Sequence, residues 1–442
     1  MNDTGSNVEP RGDGAIRRSV PAWAALSRVP RSYAVYLVAS GVDGLGVGVA
    51  RLAFPWLLFS LTHSAFVLGL ASFAQLAASW VTPFLGVVTD RMDRRRAIAI
   101  GTAGRAVCWG LIIVMATGTF GYGSGMIAGV LTLAFLQQAC GNLALQARSA
   151  LRQALTPPQA RLGINTFYFT VQNIAWYVSP ALGGLVIARL GAVAALYVTV
   201  VALFLMLIPT LGLPAVSAEP RGETPLGVGR ELREGFRVLR GETMLGWLTA
   251  FGFLYNGVWT AVSAVAIALY RADLHMGAVE VGLVTLAAGL ATTGFGILTP
   301  WIERHVRAHQ VLTGALVMSG VGMATLGAAG GWPEVAAGLA LTDLPSTPWL
   351  VLTNLVTQAR IPERVYGRVN ALRSTLSTGA NPLWALLAGG VAEVATPRVS
   401  IVAMGALTLV AVLILQRTPL RSLVWPAVAH ENSADASSNP GR

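Results

Sequence analysis

The chain has 442 residues, 54% of them hydrophobic and only 12% charged, about half the charged fraction of a soluble domain. That balance excludes a soluble multidomain protein and fits one polytopic membrane unit. All 31 basic residues are arginine. Without lysine the chain has neither a Walker A phosphate loop nor a Schiff-base cofactor.

The net charge of +11 would point to nucleic acid in a soluble protein, but here it reads as topological. Cys108 and Cys140 both fall in apolar runs, and the five histidines fall in loops or the tail. That pattern carries no disulfide framework and no metal-ligand spacing.

Residues 1–30 form a polar tail with no apolar run long enough for a signal peptide. Twelve apolar spans follow at 33–61, 64–89, 97–119, 123–147, 163–188, 192–212, 244–270, 278–301, 309–329, 333–357, 368–393 and 398–416. The tail, the loops after even-numbered spans and the C-terminus hold 25 arginines, and the opposite loops hold three. The positive-inside rule therefore places both termini in the cytoplasm. Arg51, Arg105 and Arg373 lie within spans.

The fold class expected is all-α integral membrane, with twelve transmembrane helices in two pseudo-symmetric six-helix bundles, 31–212 and 244–416. The central segment 213–243 reads as a cytoplasmic loop whose residues 229–240 have the spacing of an amphipathic interfacial helix. A second cytoplasmic tail covers 417–442. The halves carry a short internal repeat about 205 residues apart: Gln153-Ala-Leu-Thr-Pro157 with Asn165 matches Gln358-Ala-Arg-Ile-Pro362 with Asn370. Two similar bundles facing each other place a substrate site between them near the midplane.

Polar groups inside spans are the first candidates for such a site. Asp43 lies about 15 Å into the first span at 1.5 Å per residue, close to the midplane. Asp343 is similarly deep in the tenth, where Pro345 and Pro348 are expected to bend or break the helix. A mid-span aspartate costs roughly 2.5–3.5 kcal/mol to insert, so such residues face the bundle interior or a cavity. Two roles stand open for Asp43: proton or substrate binding, or a structural pair with Arg105 at similar depth. Asp343 favours the first role. Arg51 is a candidate for an anionic substrate group, and Gln172, Asn173 and Asn256 are candidate cavity amides.

One charged stretch separates the second and third spans: Gly86-Val-Val-Thr-Asp90-Arg91-Met-Asp93-Arg94-Arg95-Arg96. It resembles the hallmark loop of the major facilitator superfamily, Gly-x-x-x-Asp-Arg/Lys-x-Gly-Arg/Lys-Arg/Lys. Gly86, Asp90, Arg91, Arg94 and Arg95 match, and Asp93 replaces the second glycine. Asp tolerates a left-handed conformation better than most residues, so the turn is expected to survive. In the fifth span Ser179-Pro180-Ala-Leu-Gly183-Gly184 resembles the superfamily's antiporter motif, with direction-specific transport and ordinary helix packing both open as its role.

The resemblance is strongest to bacterial exporters of the macrolide-efflux and enterobactin-exporter kind. It implies a secondary active exporter of an amphipathic small molecule, working by alternating access with proton antiport. A proton-coupled uptake symporter for a metabolite is the first alternative, and a non-transporting membrane enzyme or sensor the second. The resemblance implies no enzyme activity, no cofactor and no metal. The expected partners are substrate, protons and membrane lipids, with no nucleic acid, and the chain is expected to act as a monomer in the bacterial cytoplasmic membrane. It implies that Asp90 latches onto the start of the eleventh span, near Gly367–Arg373. A further family motif places an arginine in the fourth span where Phe135-Leu-Gln137-Gln138 has none, so a proton relay through that position is not carried over.

Overall fold

The computed structural model describes residues 27, 29–118, 123–215, 236–237, 239–361 and 363–425. Most of the expected amphipathic segment 229–240 lies outside them. The described residues are helical with no strand. The first half comprises α1 (Arg31–Thr62), α2 (Ala65–Ala77), α3 (Thr82–Arg91), α4 (Arg94–Ala116), α5 (Ser124–Leu155), α6 (Arg161–Leu190) and α7 (Ala192–Leu211). The second half comprises α8 (Thr243–Ala268), α9 (Ala278–Ile297), α10 (Thr299–His305), α11 (Ala308–Ala328), α12 (Trp332–Asp343), α13 (Ser346–Arg360), α14 (Glu363–Thr378), α15 (Asn381–Val394) and α16 (Pro397–Leu415).

Eleven helical stretches among the described residues are long and apolar enough to cross a membrane. The expected eleventh span, 368–393, is instead built from two helices, α14 and α15, which meet at Gly379–Ala380. The break expected at Pro345 is present, separating α12 from α13. A further break, at Ala78–Val81, divides α2 from α3 and was not expected. Pro83 then stands in the first turn of α3, where the missing N–H costs nothing.

The fourth span also differs from its expected end at residue 147. Nothing in Arg148–Leu155 stops a helix, so α5 runs on until Thr156-Pro157-Pro158. Its last residue, Leu155, and the last of α13, Arg360, are 205 positions apart, the spacing of the internal repeat.

The halves share one pairing scheme. In the first, α1 packs on α6 and α7, α4 on α5 and α7, and α2 on α5. In the second, α8 packs on α15 and α16, α11 on α12 and α16, and α9 on α12. The two most extensive crossings between the halves are α2 with α15 and α6 with α9, and the repeat exchanges one for the other. Both are built on glycine. A Cβ on Gly69 of α2 would stand 2.8 Å from the Gly389 Cα of α15, and one on Gly184 of α6 would collide with the Ala278 carbonyl oxygen of α9. Without a hydrophobic drive between helices in lipid, such close backbone approach supplies the packing energy.

Candidate functional site

Asp43 is 2% exposed on α1, and its carboxylate faces two arginines. Arg148 of α5 donates to it at 2.5 Å, and Arg105 of α4 lies at 3.5 Å. Arg148 also reaches the Thr102 hydroxyl at 3.4 Å. One carboxylate thus holds two guanidinium groups that are themselves 7% and 8% exposed, leaving a surplus positive charge inside the first bundle. The expected Asp43–Arg105 proximity is present, but the nearer partner is Arg148, which the arginine distribution had assigned to a cytoplasmic loop. It enters the bundle because α5 continues past residue 147. The helix run to Pro157 was the signal that could have found it.

Asp343 has a different setting. It is the last residue of α12, half-buried beside the break, and accepts a hydrogen bond from Trp259 Nε1 of α8 at 2.7 Å. No guanidinium lies within ion-pair distance of it among the described residues. Nearby, Tyr255 stacks on Trp349 with ring centroids 4.6 Å apart. From the opposite half Arg51 of α1 lies over the Trp176 ring, 3.4 Å from its centroid, and donates to the Trp176 carbonyl oxygen at 3.0 Å. Arg51 and Asp343 each lie within electrostatic reach of the other. The structure therefore sets a cation on an indole in one half across from a carboxylate held by an indole in the other.

The amides are less exposed to ligand chemistry than their residue types implied. Asn256 donates to the Gly252 carbonyl oxygen of its own helix at 2.7 Å, and Gln172 to the Tyr168 hydroxyl at 3.1 Å. Asn173 is exposed on α6.

In the charged loop, Gly86 lets α3 approach α5: a Cβ there would stand 3.2 Å from Gln146 Oε1. Asp93 does not adopt the left-handed turn the motif's glycine allows. Its φ is −56° and its ψ 128°, and its carboxylate accepts from Arg96 N at 3.1 Å as the N-cap of α4. Arg94 donates to the Thr89 carbonyl oxygen at the end of α3. Arg95 donates to Leu213 O at 3.2 Å, just past the end of α7. Both guanidinium groups sit at helix C-termini, where positive charge is favoured, so they do more than set topology. Arg91 is exposed. The Asp90 side chain, and those of residues 363–365, 367 and 368, lie outside the described residues, and so does the expected latch.

The motif in α6 has a defined position. Gly183 lies against α1 at Val49, Ser179 is buried against Gly48, and Pro180 and Gly184 face Gly282 and Ala278 of α9. Pro180 and Gly184 thus belong to the α6–α9 crossing between halves, while Ser179 and Gly183 pack α6 on α1.

Of the polar bonds between the halves, those of Glu393 and Arg271 lie at the arginine-poor end and that of Trp80 lies mid-span. Glu393 of α15 accepts from the Ser64 hydroxyl at 2.9 Å and from Phe66 N at 3.0 Å, capping α2 from the other half. Arg271 lies over the Trp56 ring at 4.7 Å and donates to its carbonyl oxygen at 3.4 Å. Trp80 Nε1, at the α2–α3 break, donates to Gly379 O at the α14–α15 break at 2.7 Å. Among the described residues no hydrogen bond joins the halves between Trp80–Gly379 and the arginine-rich end. Sequence reasoning found none of these three contacts, because each depends on how the halves dock.

Two matched helical halves, joined by polar contacts and carrying opposed charges between them, have the architecture of a membrane transporter. The chain belongs to the Major Facilitator Superfamily, whose family model matches residues 36–380, and it lies in the bacterial cytoplasmic membrane as a multi-pass protein.

It is similar to the multidrug efflux pump Tap of Mycobacterium tuberculosis (strain ATCC 25618 / H37Rv), with 28% identity over 373 residues, 81% of this chain and 86% of that one. It is also 27% identical to the enterobactin exporter EntS of Citrobacter koseri over 384 residues, covering 83% and 86%. Among solved structures, the nucleoside transporter NupG superposes with a TM-score of 0.65 at 13% identity, over 88% of this chain and 99% of that one. A bacterial homologue of the iron transporter ferroportin in an inward-facing state gives 0.66 at 14%, over 87% and 98%. At those identities the two structures speak to the fold alone.

Proposed function

We propose that this chain is a secondary exporter that moves an amphipathic small molecule out of the cell by alternating access, driven by inward proton flow. The substrate class is an antibiotic, another secondary metabolite or a siderophore. The similarity to Tap and EntS supports the outward direction. With the arginine-rich ends in the cytoplasm, the contacts at Glu393, Arg271 and Gly184 close the outer side and leave the site open inward.

The observation that carries proton coupling is the contrast between the two intramembrane aspartates. Asp43 is fixed by two arginines and serves the fold of the first bundle. Asp343 has one neutral donor, Trp259, sits at a helix break, and faces Arg51 across the halves. A carboxyl without a bonded cation can exchange a proton as the site alternates between sides, and Arg51 faces it from the other half. The test is substrate-dependent proton release from everted vesicles carrying Asp343→Asn. Efflux coupled to the proton gradient is expected to disappear while the protein remains folded. Wild-type activity in that variant would remove Asp343 from the mechanism.

A further inference from the structure

At the arginine-rich end of the second bundle, the chain beyond α16 folds back on itself. Pro419–Ser422 form a 3-10 turn, and Leu420 and Leu423 are buried, 0% and 3% exposed, in a cluster with Ile302, Val311 and Leu312. Trp425 Nε1 then donates to the Val306 carbonyl oxygen at 2.7 Å, pinning this segment against the turn between α10 and α11. Between the two lies a cavity of about 480 Å³ whose walls carry Arg304, Arg307, Arg421, His305 and His309, against a single acid, Glu303.

The three arginines are exposed and unpaired among the described residues. Two arginines elsewhere in this half do have carboxylate partners: Arg360 lies 3.6 Å from Glu242 and Arg398 lies 3.1 Å from Asp273. The cavity also opens on the N-terminus of α11, where the first helical N–H groups lack intrahelical acceptors. On the side of α9 and α10, Ile297, Leu298 and Trp301 are 75%, 49% and 57% exposed. Trp301 stacks on His305 with centroids 4.7 Å apart, so an apolar face leads directly to the basic cavity.

We propose that this cavity binds the phosphate group of an anionic membrane lipid, with the guanidinium groups on the phosphate oxygens and an acyl chain along Ile297, Leu298 and Trp301. Guanidinium forks match phosphate oxygens in pairs. A free phosphate shares the headgroup chemistry, but it makes no use of the apolar face.

The test uses the full chain purified in neutral detergent and measures binding of phosphatidylglycerol and phosphatidylcholine by native mass spectrometry. It compares wild type, Arg304→Gln/Arg421→Gln, and Arg237→Gln/Arg240→Gln, a charge-matched control at the same end outside the cavity. Each arginine placed on the phosphate contributes about 5-fold to binding of an anionic lipid, so the cavity variant is expected to bind phosphatidylglycerol on the order of 30-fold more weakly. The control is expected to bind as wild type does. Equal retention of the two lipids by wild type, or equal loss in both variants, would overturn the assignment. Competition arms with inorganic phosphate and glycerol 3-phosphate separate the sources. Displacement of the lipid by either at millimolar concentration would make this a site for soluble anions and overturn the lipid reading. A melting curve for each variant shows that lost binding is not lost fold.

Discussion

The buried triad makes a prediction whose order matters more than its size. At an effective dielectric near 20, unit charges about 4 Å apart interact by about 4 kcal/mol, so each Asp43–arginine attraction offsets much of the desolvation of its partners. Asp43→Asn removes the anion and leaves Arg105 and Arg148 buried together, repelling each other. Breaking a buried pair in this way costs about 3–5 kcal/mol, and the surplus charge puts this site at the upper end. Arg105→Gln removes the more distant cation at 3.5 Å and leaves a neutral Asp43–Arg148 pair at 2.5 Å, so its cost is about 1 kcal/mol.

Arg148→Gln falls between them, since Asp43 keeps only the longer contact. Thermal survival in detergent, read by fluorescence size-exclusion, should rank wild type above Arg105→Gln, then Arg148→Gln, then Asp43→Asn. In a double-mutant cycle Asp43→Asn/Arg148→Gln should lose less than the sum of the single losses. A survival temperature for Asp43→Asn equal to wild type, or Arg105→Gln as the worst of the three, would refute a triad organised around one carboxylate.

Three further predictions concern the proposed outer closure and the charged loop. Glu393→Gln weakens the charged cap on α2 that crosses between halves, and at this exposed position it should shift the balance toward outer opening by about 1 kcal/mol. Spin labels at His63 and Ala395 should then show a larger long-distance population, and an unchanged distribution would exclude Glu393 as a latch. Gly184→Ala puts a methyl group against the Ala278 carbonyl oxygen, so the outer side should fail to close and efflux should fall while surface expression persists. Efflux at the wild-type rate would argue against the tight α6–α9 crossing. Asp93→Ala removes the N-cap of α4 and should cost about 1 kcal/mol, whereas Asp93→Gly should cost only a few tenths; equal melting temperatures for wild type and Asp93→Ala would count against the cap.

The parts of this molecule legible in the sequence are those that depend on local composition. Apolar runs placed the helices, Pro345 announced the break beside Asp343, and the Gln153/Gln358 repeat pointed to two similarly folded halves, in which α5 and α13 end 205 residues apart. The missed parts depend on contacts distant in sequence. Arg148 was assigned to a loop because arginines near span ends are usually topological, yet whether one is buried depends on where its helix stops and which helix it meets. Here the stop is Pro157 and the neighbour is α1, which brings Asp43 within reach.

Asp93 shows the same distinction at one turn. A small polar residue in place of the motif's glycine was expected to tolerate a positive φ, but with φ at −56° the backbone makes no such demand. The carboxylate instead fills a hydrogen-bonding need that every helix start has. Asp93 therefore holds the first turn of α4 in place where glycine would supply only backbone freedom, and Arg94 and Arg95 are left directed at the ends of α3 and α7. In this loop a side-chain cap, and not a left-handed turn, fixes the start of α4.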